Sequence, residues 1–163
     1  AGEKIARVSA NMAMAADMEV RASSTATTGA YSSACQRGLP AILMERGGGG
    51  RFTDSEVQAY KQDVKNIMIR MGLLSGEEVH TVQQKNVTRA EYLEAETDGL
   101  WYPVFSAGDT FAGGAVLGTV RDIWGNLLRE YRADYPGIVL YQTVGLGVKT
   151  GDPLIAYGEY VDR

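Results

Sequence analysis

The stretch GLPAILMERGGGGRF, residues 38–52, decides how the first half of this 163-residue chain is read. Residues 41–44 form a short apolar run between Pro40 and a block of glycines. At that length, and bounded by breakers, the run predicts a brief buried strand rather than a helix. It ends in Glu45, followed by Arg46, four consecutive glycines and Arg51. Open α/β sheets bind ligands beyond the carboxyl ends of their strands, so Glu45 stands where a catalytic group would. A carboxylate paired with Arg46 or Arg51 is the other reading, and position alone leaves both open.

Helices are predicted on either side. In EKIARVSANMAMAADM (3–18), Ile5, Val8, Met12 and Ala15 recur at spacings of three and four, one face of a helix that packs on a core. The Ser/Thr/Gly-rich segment 22–34 reads as a loop leading into a short helix that stops near Gly38, a natural residue for a helix end. After the glycines, Thr53 and Glu56 have capping-box spacing, in which each side chain satisfies the other's orphan backbone donor. Val57, Tyr60, Val64, Ile67, Met68 and Met71 then form one apolar stripe, closed by Gly72. Helix, strand and helix in sequence are the grammar of an α/β layer.

Beyond about Gly76 the pattern changes to short alternating or β-branched runs punctuated by glycine. Segments 99–120 and 137–160 resemble each other: each holds a strand, a Gly-Asp pair (Gly108-Asp109, Gly151-Asp152) and a later strand with a leucine (Leu117, Leu154). Glycine reaches positive φ without penalty and Asp bonds neighbouring backbone, so each pair predicts a tight turn. The expectation is an α/β part over residues 1–75 and a small all-β barrel or sandwich over 76–163.

Composition narrows the function. The chain is 45% hydrophobic and 22% charged with a net charge of −4, and no basic run appears, which argues against nucleic-acid or anionic-membrane surfaces. No segment approaches the ~20 apolar residues of a membrane span. One cysteine, Cys35, excludes an internal disulfide and fits a reducing, cytoplasmic setting; without a local base it reads as a small packing residue near a helix end. One histidine, His80, on a predicted alternating strand, cannot supply the three protein ligands of a catalytic zinc. The glycine block lacks the Gly-Lys-Ser/Thr ending of a phosphate loop. The β-rich part resembles biotinyl and lipoyl hairpins in outline, but Lys149, in GVKTGD, lacks the flanks of a modified lysine, so no covalent cofactor is expected.

The segment SSACQRGLPAILMERGGGGRF (32–52) resembles the corresponding part of the succinylglutamate desuccinylase/aspartoacylase family, zinc-dependent deacylases related to the metallocarboxypeptidases. There a helix with small residues leads to Gly-x-Pro-Ala, a strand, a Glu and glycines. Segments 99–126 and 137–159 resemble the β-rich C-terminal domain of the same family, so the likeness runs in order along nearly the whole chain. It implies that residues 1–75 are the C-terminal part of a metallocarboxypeptidase-like α/β zinc-hydrolase domain. It implies that Glu45 is the general base, taking a proton from a zinc-activated water that attacks the amide of an N-acyl amino acid and passing it to the leaving amine. Tyr31, fourteen residues before Glu45, matches a substrate-binding Tyr. Ten residues before Glu45, where the aspartoacylase branch carries a carboxylate-binding Arg, this chain has Cys35, which puts an acyl-aspartate substrate in question; Arg37, two residues on, is the remaining candidate for that role.

The family's zinc ligands, a His-x-x-Glu pair and a later His, precede the general base, and no His precedes Glu45 here. The ligands are therefore expected upstream of Ala1, no zinc is expected in this chain alone, and the abrupt helical opening reads as the middle of something longer or as a processed terminus. A cut surface of this kind predicts self-association or a partner. The alternative function is a non-catalytic interaction or structural module that keeps the family scaffold without its metal site.

Overall fold

The computed structural model describes residues 2–162, which form two compact units, one running to Lys85 and including Asp162, the other Asn86–Val161. The described chain is a mixed α/β fold with three helices and nine strands in two sheets.

In the first unit, α1 (Glu3–Ala15) presents Ile5, Val8 and Met12 half-buried and Ala15 fully buried, the face expected from their spacing. A three-residue strand, β1 (Val20–Ala22), was not foreseen. Helix α2 (Ala30–Gln36) ends where Gly38 takes φ +85°, with Leu39 N–H donating to Ala34 O at 3.0 Å. That six-to-one bond around a left-handed glycine is a Schellman end. Helix α3 (Asp54–Arg70) begins with the complete capping box: Glu56 N–H donates to Thr53 Oγ1 (3.2 Å) and Thr53 N–H to Glu56 Oε2 (2.6 Å).

One expectation fails here and a second holds only in part. Residues 41–44 belong to no strand, and Leu43 is 62% exposed. A strand needs a ladder partner for its backbone, and none of the described residues supplies one to this segment. The stripe on α3 is its inner face only in part: Val57, Tyr60 and Ile67 are half-buried, Val64, Met68 and Met71 are exposed, and the fully buried positions are Asp63 and Asn66. Both are buried polar groups with their hydrogen bonds made, which removes the penalty of burial. Asn66 donates to Val79 O (2.7 Å) and accepts Val79 N–H (3.0 Å), tying α3 to the extended segment after it. That segment, residues 77–84, is not yet strand, so His80 lies on a loop, 2.9 Å from Glu78 Oε2.

The second unit consists of strands and turns. β2 (Lys85–Glu94), β9 (Pro153–Asp162), β7 (Gly137–Gln142) and β4 (Thr110–Phe111) lie side by side in that order; β6 (Leu127–Arg132), β5 (Val116–Arg121), β3 (Gly99–Pro103) and β8 (Gly147–Val148) form the other sheet. The two similar segments interlock: β3 pairs antiparallel with β5 in one sheet and β7 with β9 in the other, while the short middle strand of each segment, β4 or β8, joins the other segment's sheet. Their Gly-Asp turns match closely. Asp109 N–H bonds Ser106 O (3.0 Å) and Asp109 Oδ2 accepts Ser106 N–H (2.8 Å); Asp152 repeats this with Lys149 at 2.9 and 2.8 Å. Gly108 and Gly151 sit at φ +89° and +88°, a conformation that a side chain would strain. Leu117 and Leu154 are both fully buried, in a core with Trp101, Val120, Tyr131, Val139 and Tyr157. Gly118 exists because Trp101 lies flat on it: a Cβ there would stand 2.2 Å from Cη2 of that ring.

Candidate active site around Glu45

Glu45 sits on the irregular segment between Pro40 and the glycines, and it is exposed. Its carboxylate has no hydrogen-bond or ion-pair partner among the described residues. The expected alternative, pairing with Arg46 or Arg51, is therefore not what the structure contains. Arg46 turns away and gives its guanidinium to Asp63: Nε–Oδ2 is 2.7 Å and Nη2–Oδ1 is 3.0 Å, with Asp63 completely buried. Arg46 Nη2 also donates to Asp17 O at 2.7 Å, and Asp17 N–H donates to Asp63 Oδ1 at 2.7 Å. A two-bond guanidinium–carboxylate pair of this kind is directional as well as strong. The bond to Asp63 outweighs burial and holds the Arg46 pKa above its ordinary value.

The backbone around Glu45 is gripped by a second group from α3. Tyr60 Oη accepts the Arg46 N–H at 2.7 Å and donates to Met44 O at 3.2 Å, so one hydroxyl joins the peptide groups on both sides of Glu45. The Arg46 guanidinium lies 5.9 Å from the Tyr60 ring centroid. On the far side, Ala41 N–H donates to Ser9 Oγ (3.1 Å) and Cys35 Sγ–H to Ala41 O (3.5 Å), which ties the segment to α1 and α2. Cys35 is half-buried in the last turn of α2, a packing thiol as its sequence context implied. The glycines do local work: Gly47, Gly49 and Gly50 all have positive φ and turn the chain back onto the capping box, where Gly47 lies against Glu56.

Tyr31 lies in the first turn of α2, its hydroxyl donating to Ser24 Oγ at 2.8 Å. Arg37 caps the same helix through its N–H to Ala34 O (3.0 Å), with an exposed guanidinium that makes no ion pair among the described residues. No hydrogen bond joins either residue to Glu45. Sequence reasoning missed Asp63, Asp17 and the role of Tyr60. The available signal was Asp63 itself, a carboxylate three residues after Tyr60 in a helix otherwise read as an apolar stripe.

No family model matches the sequence, and no curated protein does. Solved structures do. The ectoine utilization protein EutE (DoeB) from Ruegeria pomeroyi, in its product-bound form, superposes with a TM-score of 0.83 at 22% identity over 97% of this chain and 50% of its own. The apo form gives 0.82 at 25% identity, covering 96% of this chain and 52% of that one. A succinylglutamate desuccinylase/aspartoacylase from Rhodobacter sphaeroides gives 0.81 at 23%, over 99% and 51%. This chain has the fold of the succinylglutamate desuccinylase/aspartoacylase proteins. It spans about half the length of the desuccinylase/aspartoacylase structures it matches. The unlinked Glu45 and the Tyr60–Asp63 grip both lie within the part of the chain that shares this desuccinylase/aspartoacylase fold. No helix among the described residues is long and apolar enough to cross a membrane.

Proposed function

We propose that the chain is the C-terminal portion of a hydrolase that removes an acyl group from an N-acyl amino acid, with Glu45 as its general base. The observation that carries this reading is the unpaired, exposed carboxylate of Glu45 on a segment pinned on both sides. A structural carboxylate would be expected to hold the one cation beside it, and here Asp63 holds that cation instead. In this reading Glu45 accepts a proton from the attacking water and hands it to the departing amine, which a single carboxylate can do in two steps. Tyr31 and Arg37 contact the substrate, Arg37 offering an uncommitted cation to a substrate carboxylate. The first unit then belongs to a metallocarboxypeptidase-like domain, the second is a β-rich domain beside it in sequence, and the reaction is cytoplasmic.

The described residues do not fit a zinc site. Among them no group of three or more His, Cys, Asp or Glu side chains could hold a metal, and the single histidine is engaged with Glu78 away from Glu45 in sequence. In this proposal zinc belongs to the whole protein, held by ligands other than the described residues.

The test is Glu45→Gln in the full-length protein, assayed against a panel of N-acetyl and N-succinyl amino acids. The expected loss in kcat is about 10²-fold or more, the scale of general acid–base catalysis. Near-normal turnover would remove Glu45 from the mechanism.

A further inference from the structure

We infer that Tyr60 and Asp63, one helical turn apart on α3, are positioning residues whose task is to fix the direction of the Glu45 side chain; this rests on the general-base reading above. The geometry is specific to that task. Side chains are aimed by their own backbone, and the two peptide groups that set the Glu45 backbone are those of Met44 and Arg46. Tyr60 Oη bonds both, accepting from Arg46 N–H at 2.7 Å and donating to Met44 O at 3.2 Å. Nothing in strand formation does this work, because residues 41–44 have no ladder partner among the described residues. The hydroxyl replaces the missing ladder at the one place where the chain carries a free carboxylate.

Asp63 acts one residue further on. It is fully buried and accepts from Arg46 Nε, Arg46 Nη2 and Asp17 N–H, so its oxygens are occupied from within the fold. By taking the Arg46 guanidinium it leaves Glu45 without the neighbour that would otherwise neutralise it. The Arg46 side chain is drawn toward α3 and half-buried, while Glu45 beside it is exposed. Holding Arg46 inward fixes the chain immediately after Glu45 and keeps the guanidinium away from that exposed carboxylate. The same pair of α3 residues thus sets both the backbone and the facing of the candidate base, and a base misplaced by as little as an ångström costs about 10²-fold in rate.

Two variants separate this from a merely structural role. Tyr60→Phe keeps the ring beside Arg46 and removes only the two hydrogen bonds; Asp63→Asn keeps the shape and weakens the hold on Arg46. In this chain, amide hydrogen exchange at Arg46 is expected to quicken about tenfold in Tyr60→Phe, the scale of one lost hydrogen bond, with the amides of Leu117 and Leu154 unchanged. In the full-length protein, both variants are expected to lower kcat by about 10- to 100-fold with KM within about twofold. Tyr60→Trp, which cannot accept the Arg46 N–H, should not restore the rate. Unchanged exchange at Arg46 overturns the positioning role, as does faster exchange with unchanged kcat, or a loss confined to KM. If Glu45→Gln is itself fully active, the general-base reading fails separately, and the exchange measurement still decides whether Tyr60 holds the segment.

Discussion

Asp63 shows how a single residue can reverse the reading of its neighbours. It is a carboxylate with no exposed surface, sustained only by Arg46 and the Asp17 amide. Removing one partner of such a pair leaves the other buried and uncompensated, so Asp63→Ala is expected to cost about 3–5 kcal/mol. Urea unfolding of this variant beside Glu45→Gln checks the point, since Glu45, being unpaired and exposed, should be nearly neutral for stability. The Glu45 position was legible in the sequence from the short apolar run and the glycines that follow it. Its freedom was not, because whether Arg46 pairs with Glu45 or with Asp63 depends on a contact across seventeen residues. Cys35 was read correctly, since nothing near it in sequence could activate a thiol and its surroundings in space are Ser9 and a backbone carbonyl.

At the scale of elements, helix ends were the most readable features. The Thr53/Glu56 box and the left-handed Gly38 and Gly72 act through residues close in sequence, so sequence suffices to find them. Thr53→Ala should destabilise by about 1 kcal/mol, seen as a lower thermal midpoint, with Thr53→Ser retaining most of the stability. No change would mean the box is replaced by solvent at no cost. The run at 41–44 was misread as a strand for the converse reason: apolar composition favours an extended chain, but a strand exists only if another backbone lies beside it. The α3 stripe was half right, with Val57, Tyr60 and Ile67 turned inward and Val64, Met68 and Met71 not, because periodicity finds an apolar face without saying how far round the helix the contact reaches. The paired Gly-Asp turns, by contrast, repeat to within 0.1 Å, as their shared dipeptide required.

Across the whole molecule, stability should depend on acid in a defined direction. Hydrogen bonding by Arg70, helped by His80, holds Glu78 below its ordinary value of 4.5, against the effect of burial. For Asp17, burial works upward, but the Thr81 hydroxyl and the Thr81 and Val82 amides outweigh it and hold the group below 3.8. Groups whose folded pKa is depressed stabilise the fold above the unfolded value and lose that contribution as pH falls toward the folded one. Urea midpoints should therefore be flat above about pH 5 and decline below about pH 4.5, and Glu78→Gln should show a smaller decline. A midpoint that held or rose on acidification to pH 3 would contradict the roles given to Asp17 and Glu78.

Sequence by itself determined the local grammar of this protein. The α1 face, the capping box, the glycine-terminated helices and the twin turns all follow from residues a few positions apart. It also pointed to the desuccinylase/aspartoacylase fold through short motifs in order along the chain, although the matched structures are only 21–25% identical. Tertiary structure alone decided that residues 41–44 are unladdered, that α3 buries two polar side chains, and that Arg46 belongs to Asp63. Those outcomes depend on which groups meet in space, and hydrogen bonds between distant residues leave no periodic trace in a chain.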